Sequence, residues 1–338
     1  MKLKQKPIAQ QVIVITGATS GIGLATAKKA AQQGAQLMLI ARNKDALEKI
    51  AGELSAASGQ VIWAVADVAD EVALRSAATA AREKFGRIDT WINNAGVSIF
   101  GYTEEVSRAD QRRLFETNFW GVVNGSLIAV EHLRERGGTL INLGSELSDA
   151  FAPLQGIYTA SKHAVKAFTE SLRAELEHEH IPISVTLIKP AAIATLFVEH
   201  AKNYMDVEPK LPAPIYAPEL VADAILTAAH TPQRNVFVGG AAKLMSVTTK
   251  LAPTWVNRLV EHSMFKQQRT TNPEYHPEKN SLHEHGEDMR VRGETESKVQ
   301  ESCPYTQAAM HPLKGYAVLG ACVLAVAAVA TRRRLHSR

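Results

Sequence analysis

The chain has 338 residues, 46% of them hydrophobic, which is ordinary for a globular protein and enough to bury a sizeable core. Its 38 Lys and Arg against 34 Asp and Glu leave a formal net charge of +4, and the basic residues form no arginine-rich, aromatic-interleaved stripe, which argues against a nucleic-acid binder. The two cysteines, Cys303 and Cys322, make neither a disulfide framework nor a metal-ligand pattern, so a reducing compartment and no metal site are expected.

The N-terminus, MKLKQKPIAQQ, is basic but has no apolar stretch or small-residue cleavage site, so no export signal is expected. From Gln11 to Val238, β-branched and apolar runs alternate with helical patterns, the signature of βαβ units. Strands are predicted at Val12–Thr16, Gln36–Ala41, Val61–Ala66, Ile88–Asn93, Thr139–Leu143, Ile183–Lys189 and Val236–Val238. Helices are predicted at Ile22–Gln33, Lys44–Ala57, Glu71–Phe85, Asp110–Arg136, Gln155–His178 and Pro218–His230. Seven strands with six crossings give a doubly wound, Rossmann-type α/β fold, a parallel sheet with helices on both faces.

Three stretches carry chemistry. After the first strand, Thr16-Gly17-Ala18-Thr19-Ser20-Gly21-Ile22-Gly23 opens a helix. Glycines there let the backbone approach a pyrophosphate, and the helix N-terminus offers free N–H groups with partial positive charge. The second strand ends in Ala41-Arg42-Asn43, where a carboxylate would bind a ribose 2'-hydroxyl; a guanidinium instead suits a 2'-phosphate, so NADP(H) is expected over NAD(H). The alternative for Arg42 is a solvated residue opening the next helix. Finally, Tyr158 and Lys162 lie four apart on a helix and share a face, with Ser145 at the carboxyl end of an apolar strand. An ammonium near a phenol favours the phenolate and equips the pair for proton transfer beside a substrate oxygen held by the serine.

On these residues the chain resembles the short-chain dehydrogenase/reductase family over roughly Ile8 to Gly240. The family's glycine pattern matches Thr16, Gly17, Gly21 and Gly23, with Thr19, Ser20 and Ile22 in the same turn. The resemblance implies adenine contacts from Asp67 and Val68 and a cofactor lining from Asn94, Ala95 and Gly96. It implies a catalytic set of Asn118, Ser145, Tyr158 and Lys162, with Lys162 also on the nicotinamide ribose and Asn118 holding a water that links Lys162 to solvent. Asn118 also fits an asparagine satisfied by neighbouring backbone. Pro190, Ile193 and Thr195 stand where the family holds the nicotinamide, but the usual Gly after the proline is Ala191, a strained choice if that position needs positive φ.

The implied activity is hydride transfer between NADP(H) and a carbonyl or alcohol; the alternative is a catalytically silent NADP-binding sensor or scaffold. The catalytic domain is expected at 1–240, a helical extension at 241–268 interrupted at Pro253, and a polar, poorly packed linker at 269–312. Residues 313–331 read as a transmembrane or membrane-associated helix, and 332–338 as a basic tail. That tail suggests the cytoplasmic face of a membrane, or else a soluble cytoplasmic protein, and a lipophilic substrate under a lid between Leu196 and Tyr216. A homo-oligomer is expected from the resemblance.

Overall fold

The computed structural model describes residues 5–58, 60–272, 280–286, 289–295 and 297–310. In chain order the elements are β1 (Val12–Thr16), α1 (Gly21–Gln32), β2 (Gln36–Ala41), α2 (Lys44–Ser58), β3 (Val61–Val65), α3 (Glu71–Phe85), β4 (Thr90–Asn93), and the short β5 (Ile99–Phe100). They continue with α4 (Arg108–Phe115), a π-helical turn (Glu116–Trp120), α5 (Gly121–Leu133), β6 (Gly138–Leu143), α6 (Gly156–His178), β7 (Ile183–Pro190), and the short β8 (Lys202–Asn203) and β9 (Ile215–Tyr216). The chain then forms α7 (Pro218–His230), β10 (Asn235–Val238), α8 (Gly240–Leu251), α9 (Pro253–Gln267), β11 (Val299–Gln300) and α10 (Pro304–Met310).

The seven-stranded sheet runs β10-β7-β6-β4-β1-β2-β3. Every pairing in it is parallel, so its strands are covered on both faces, and β1, β4, β6 and β7 are buried throughout. One face packs Leu24 and Ala27 of α1 and Val221 and Ile225 of α7 against Ile13, Ile15 and Leu39. The other packs Leu74 of α3, Ile128 of α5 and Leu172 of α6 against Val14, Met38, Trp91 and Leu140. The chain leaves β3 at one edge and returns beside β1 as β4, so a crevice opens beyond the carboxyl ends of β1 and β4, the position where such sheets bind ligands.

The helix expected over Asp110–Arg136 runs without a break from Arg108 to Leu133, as α4, a π turn that carries Asn118, and α5. The extension divides at Pro253 as the sequence indicates, because a proline cannot donate to the preceding turn.

The described part of 269–312 differs from the poorly packed linker expected of its composition. Leu282 is fully buried, Cys303 and Met310 are buried, β11 pairs with β9, and Thr306 accepts a hydrogen bond from the Gly239 N–H at 2.9 Å. A few apolar anchors and many main-chain bonds dock this polar stretch onto the domain. The expected membrane helix at 313–331 and the basic tail at 332–338 lie outside the described residues, and among the described residues no helix is long and apolar enough to cross a membrane.

Candidate active site

The glycine turn is built for close approach. Gly17 stands at φ 63°, and a Cβ there would sit 2.8 Å from the Ala95 Cα; one on Gly23 would sit 2.0 Å from the Gly17 carbonyl oxygen. The turn is tied to the end of β4, since the Asn94 amide donates to the Thr16 and Gly17 carbonyls at 3.0 Å each. The Thr16 hydroxyl in turn accepts from the Asn94 and Ala95 N–H groups at 3.0 and 3.1 Å. Asn94 and Thr16 therefore set the shape of the turn.

Past the end of β6, Ser145 is held by a reciprocal pair: its hydroxyl accepts from the Leu147 N–H at 3.1 Å, and its own N–H donates to the Ser148 hydroxyl at 3.1 Å. α6 turns its Tyr158, Ser161, Lys162, Val165 and Thr169 face inward, which buries the tyrosine and the lysine. Ser145, Tyr158 and Lys162 line one cavity of about 150 Å³ together with Ile22, Asn94, Gly96, Pro190, Ile193 and Thr195. Leu147, Ala152, Phe197, Leu211 and Met264 supply its apolar wall.

Burial is the main influence on the titratable groups here. It pushes the Tyr158 phenol well above its ordinary value; a hydrogen bond with Ser145 opposes this, and the nearby Glu146 charge adds to it. Burial also pulls the Lys162 ammonium down to about 8. Lys162 Nζ lies 5.7 Å from the Tyr158 ring centroid and donates to the Leu143 carbonyl at 2.9 Å. The lowering of Tyr158 expected from Lys162 does not appear in this geometry, where Ser145 alone opposes burial, and at neutral pH the phenol holds its proton.

Asn118 is fully committed within the fold. Its side chain accepts from the Val97 N–H at 2.8 Å and donates to the Val97 carbonyl at 2.9 Å and the Ser161 hydroxyl at 3.2 Å. It thus joins the π turn to the loop after β4 and to α6. Ala191 is unstrained: it is not among the non-glycine residues with positive φ, and its N–H continues the ladder to the Val238 carbonyl at 2.9 Å. Ile193 accepts at its carbonyl from the Thr195 N–H at 2.8 Å, and the Thr195 hydroxyl accepts from the Phe197 N–H at 3.3 Å.

Arg42, Asp67 and Val68 do not line that cavity. Arg42 donates to the Ser281 and His283 carbonyls at 2.6 and 3.1 Å. Asp67 accepts from the Ala69 N–H at 3.0 Å and pairs with Arg113; although burial works against ionisation, these two partners hold its carboxyl below the ordinary range. Thr19 and Gly21 of the glycine turn also meet the C-terminal stretch, through Met289 N–H to the Thr19 carbonyl at 2.8 Å and Gly21 N–H to the Arg290 carbonyl at 3.0 Å.

Three further groups belong to the site without a signal of their own in the sequence. Glu146 lines the cavity beside Ser145, and burial pushes its carboxyl up to about 7. Its adjacency to the serine was visible; its burial was not. Arg113 on α4 meets Asp67 across the crevice, a contact with no local signal. Asp149, its side chain fully buried, pairs with Lys166 of α6 and Lys189 of β7, the latter at 2.7 Å, and accepts from the Ser246 hydroxyl of α8 at 3.0 Å. These bonds anchor the loop that carries Ser145 and Glu146.

The family model described as short chain dehydrogenase matches residues 11–205. The uncharacterized oxidoreductase YxnA of Bacillus subtilis is 42% identical over 330 residues, spanning 97% of this chain and 93% of its own. Among solved structures, an alcohol dehydrogenase from Thermococcus sibiricus complexed with 5-hydroxy-NADP is 27% identical with a TM-score of 0.60, covering 68% of this chain and 95% of its own. A short chain dehydrogenase/reductase from Burkholderia phymatum in complex with NAD is 26% identical with a TM-score of 0.64, covering 77% and 96%. The two structures carry different dinucleotides, so similarity alone does not select between NADP and NAD.

Proposed function

The chain belongs to the short-chain dehydrogenase family, and from that premise we propose an NADP(H)-dependent oxidoreductase that interconverts a lipophilic carbonyl and its alcohol. The observation that carries this reading is the convergence of Ser145, Tyr158 and Lys162 on one mostly apolar cavity with Asn94, Ile193 and Thr195. The residues fit the nicotinamide end of a dinucleotide: Ile22 of the glycine turn, Asn94, Gly96, Ile193 and Thr195 line the same cavity as Tyr158. When bound, the nicotinamide supplies the hydride donor or acceptor.

In the reductive direction Tyr158, protonated at neutral pH, donates its phenolic proton to the substrate oxygen. Ser145, oriented by Leu147 and Ser148, offers its hydroxyl to the same oxygen. Lys162, a buried cation anchored on Leu143, stabilises the phenolate left behind, and its pKa near 8 permits proton exchange close to neutrality. Asn118 is a positioning residue that fixes the π turn against α6.

Arg42 supports NADP(H), as its guanidinium is the charged group at the end of β2. The apolar wall of Phe197, Leu211 and Met264 supports a lipophilic substrate. Exposed Leu244, Leu251 and Trp255 on α8 and α9 add apolar surface, in keeping with association of the chain with a membrane, at its cytoplasmic face, through residues 313–331. Trp120 and Leu127, exposed on the π turn and α5, support a homo-oligomer.

The test is NADPH oxidation with a panel of ketones and aldehydes of increasing chain length. Turnover that rises with apolar length is expected; dinucleotide binding with no turnover on any member of the panel would instead favour a nucleotide-binding sensor.

A further inference from the structure

The polar stretch after α9 meets the domain along the crevice where the adenosine and phosphates of a dinucleotide belong. The carbonyl oxygens of three successive residues, Ser281, Leu282 and His283, are all taken by guanidinium groups: Arg42 donates to the first and third at 2.6 and 3.1 Å, and Arg113 to the second at 3.0 Å. Between these two arginines the Leu282 side chain is fully buried, in the cluster that includes Val97 and Leu114. Further along, the Gly21 N–H at the start of α1 donates to the Arg290 carbonyl at 3.0 Å, and the Met289 N–H reaches the Thr19 carbonyl at 2.8 Å.

Two of these partners, the Gly21 N–H and the Arg42 guanidinium, are groups that a dinucleotide would require. A free N–H at the first turn of α1 is what a pyrophosphate oxygen binds, and a guanidinium at the end of β2 is what a 2'-phosphate binds. The stretch supplies neutral main-chain acceptors in place of both. We propose that residues 281–286 and 289–293 act as an intramolecular strap that competes with the adenosine half of the cofactor for Arg42 and the glycine turn, so that the dinucleotide binds only as the strap leaves. The proposal rests on the reading of this crevice as a dinucleotide site.

The strap is anchored on both sides, which makes it an effective competitor. At its start the Ser281 N–H donates to the His200 carbonyl at 2.8 Å, and His283 Nε2 lies 2.7 Å from an Asp110 carboxylate oxygen. At its end Arg290 pairs with Glu199 at 2.5 Å, the Glu294 N–H donates to the same carboxylate at 2.9 Å, and Gly293 passes so near Thr195 that a Cβ would lie 2.4 Å from its carbonyl oxygen. A tethered segment acts at a high effective concentration, and a site that is open only a fraction of the time weakens apparent affinity by that fraction. A phosphate carries full charge where the strap carries only a carbonyl dipole, which gives the cofactor the means to displace it.

The experiment uses the full chain and reads binding, not turnover. Dissociation constants for NADPH and NADH are measured by cofactor fluorescence for wild type, His283→Ala and Leu282→Ala, and hydrogen exchange of 281–293 is followed with and without NADPH. His283 is half-exposed, so that variant removes a strap anchor without opening the core. Tighter NADPH binding is expected, about threefold for His283→Ala and tenfold or more for Leu282→Ala, with exchange across 281–293 accelerating when NADPH saturates the wild type. Unchanged or weaker binding in both variants, or slower exchange of 281–293 on NADPH addition, would show a stretch that ignores or clamps the cofactor and would overturn the proposal. If no form binds either dinucleotide, the cofactor reading itself falls.

Discussion

The two halves of the crevice are built by different means. Around Ser145, Tyr158 and Lys162 the site is an apolar-walled cavity whose chemical groups come from β6, α6 and the segment after β7. Around Arg42, Asp67 and Gly21 the polar groups are engaged by other parts of the chain, chiefly by a stretch some 240 residues downstream of Arg42. The half around Tyr158 thus keeps a cavity, whereas the polar groups of the half around Arg42 are engaged by a distant segment. On the function and the strap proposed above, the chemistry is held ready and control lies in access to the cofactor.

The comparison breaks most sharply at Tyr158. Tyr158→Phe removes the acidic proton while keeping the ring that packs edge-on against Phe197 at 5.3 Å. Turnover is expected to fall by about 10²- to 10⁴-fold, the span for loss of a general acid, with NADPH affinity unchanged. Single-turnover kinetics beside a binding titration would check this; a turnover loss under tenfold would take Tyr158 out of the mechanism.

The floor beneath the catalytic half comes next. Asp149→Ala leaves Lys189 buried without its carboxylate, whereas Lys166 retains access to water. A broken buried pair costs about 3–5 kcal/mol, so denaturant unfolding should show a midpoint well below wild type. Although burial opposes its ionisation, Lys166 and Lys189 hold the Asp149 carboxyl far below the ordinary range. A depressed carboxylate contributes stability that is present above the unfolded value and lost as pH falls toward the folded one. The variant should therefore show a flatter acid limb, and wild-type acid sensitivity in Asp149→Ala would refute that account.

What could be read from the sequence divides along the same line. Strand–turn–helix order and the spacing of Thr16 to Gly23 locate the cradle, because glycine placement is a local backbone demand. The four-residue step from Tyr158 to Lys162 likewise makes them neighbours on α6, because helical periodicity is local too. The π turn at Asn118 leaves no such trace: its asparagine is stabilised by Val97, some twenty positions upstream. Nor does the pairing of Arg42 with Ser281 and His283, since main-chain acceptors are the same for every residue type. A polar composition reads as loosely packed even when one buried leucine and a row of carbonyls dock it. Ala191 posed the reverse case, a departure from a familiar motif that proves harmless because the backbone there never enters the left-handed region.

Arg42 tests the adenosine half by itself. Arg42→Ala removes a charge-assisted contact to a 2'-phosphate, worth about 1–3 kcal/mol, and also removes two donors to the strap. Loosening the strap helps both cofactors equally, so the ratio of NADPH to NADH affinity is the quantity that isolates the phosphate. That ratio should drop by about fivefold to 150-fold, with NADH binding no worse than in wild type. Equal changes for the two cofactors would mean that Arg42 does not read the phosphate.

The smallest effect concerns Glu146, the carboxyl in the catalytic cavity whose burial raises its pKa to about 7. Its charge pushes the Tyr158 phenol further up, so an ionised Glu146 opposes the phenolate that forms when Tyr158 gives up its proton. Reductive kcat/KM should accordingly fall as pH rises through about 7, by roughly threefold to tenfold, the weight of about 1 kcal/mol of repulsion at short range. Lys162, with its ammonium brought down to about 8, adds a second inflection just above the first. Glu146→Gln keeps the shape and removes the charge, so the lower inflection should vanish and the upper one remain. Stability gives an independent reading of the same group. A carboxyl raised by folding binds its proton more tightly in the native state, so wild type loses stability as pH climbs from the ordinary carboxylate range to about 7, and Glu146→Gln should not. A profile in which the lower inflection persists in the glutamine variant would assign it to another group and leave Glu146 as a wall of the cavity only.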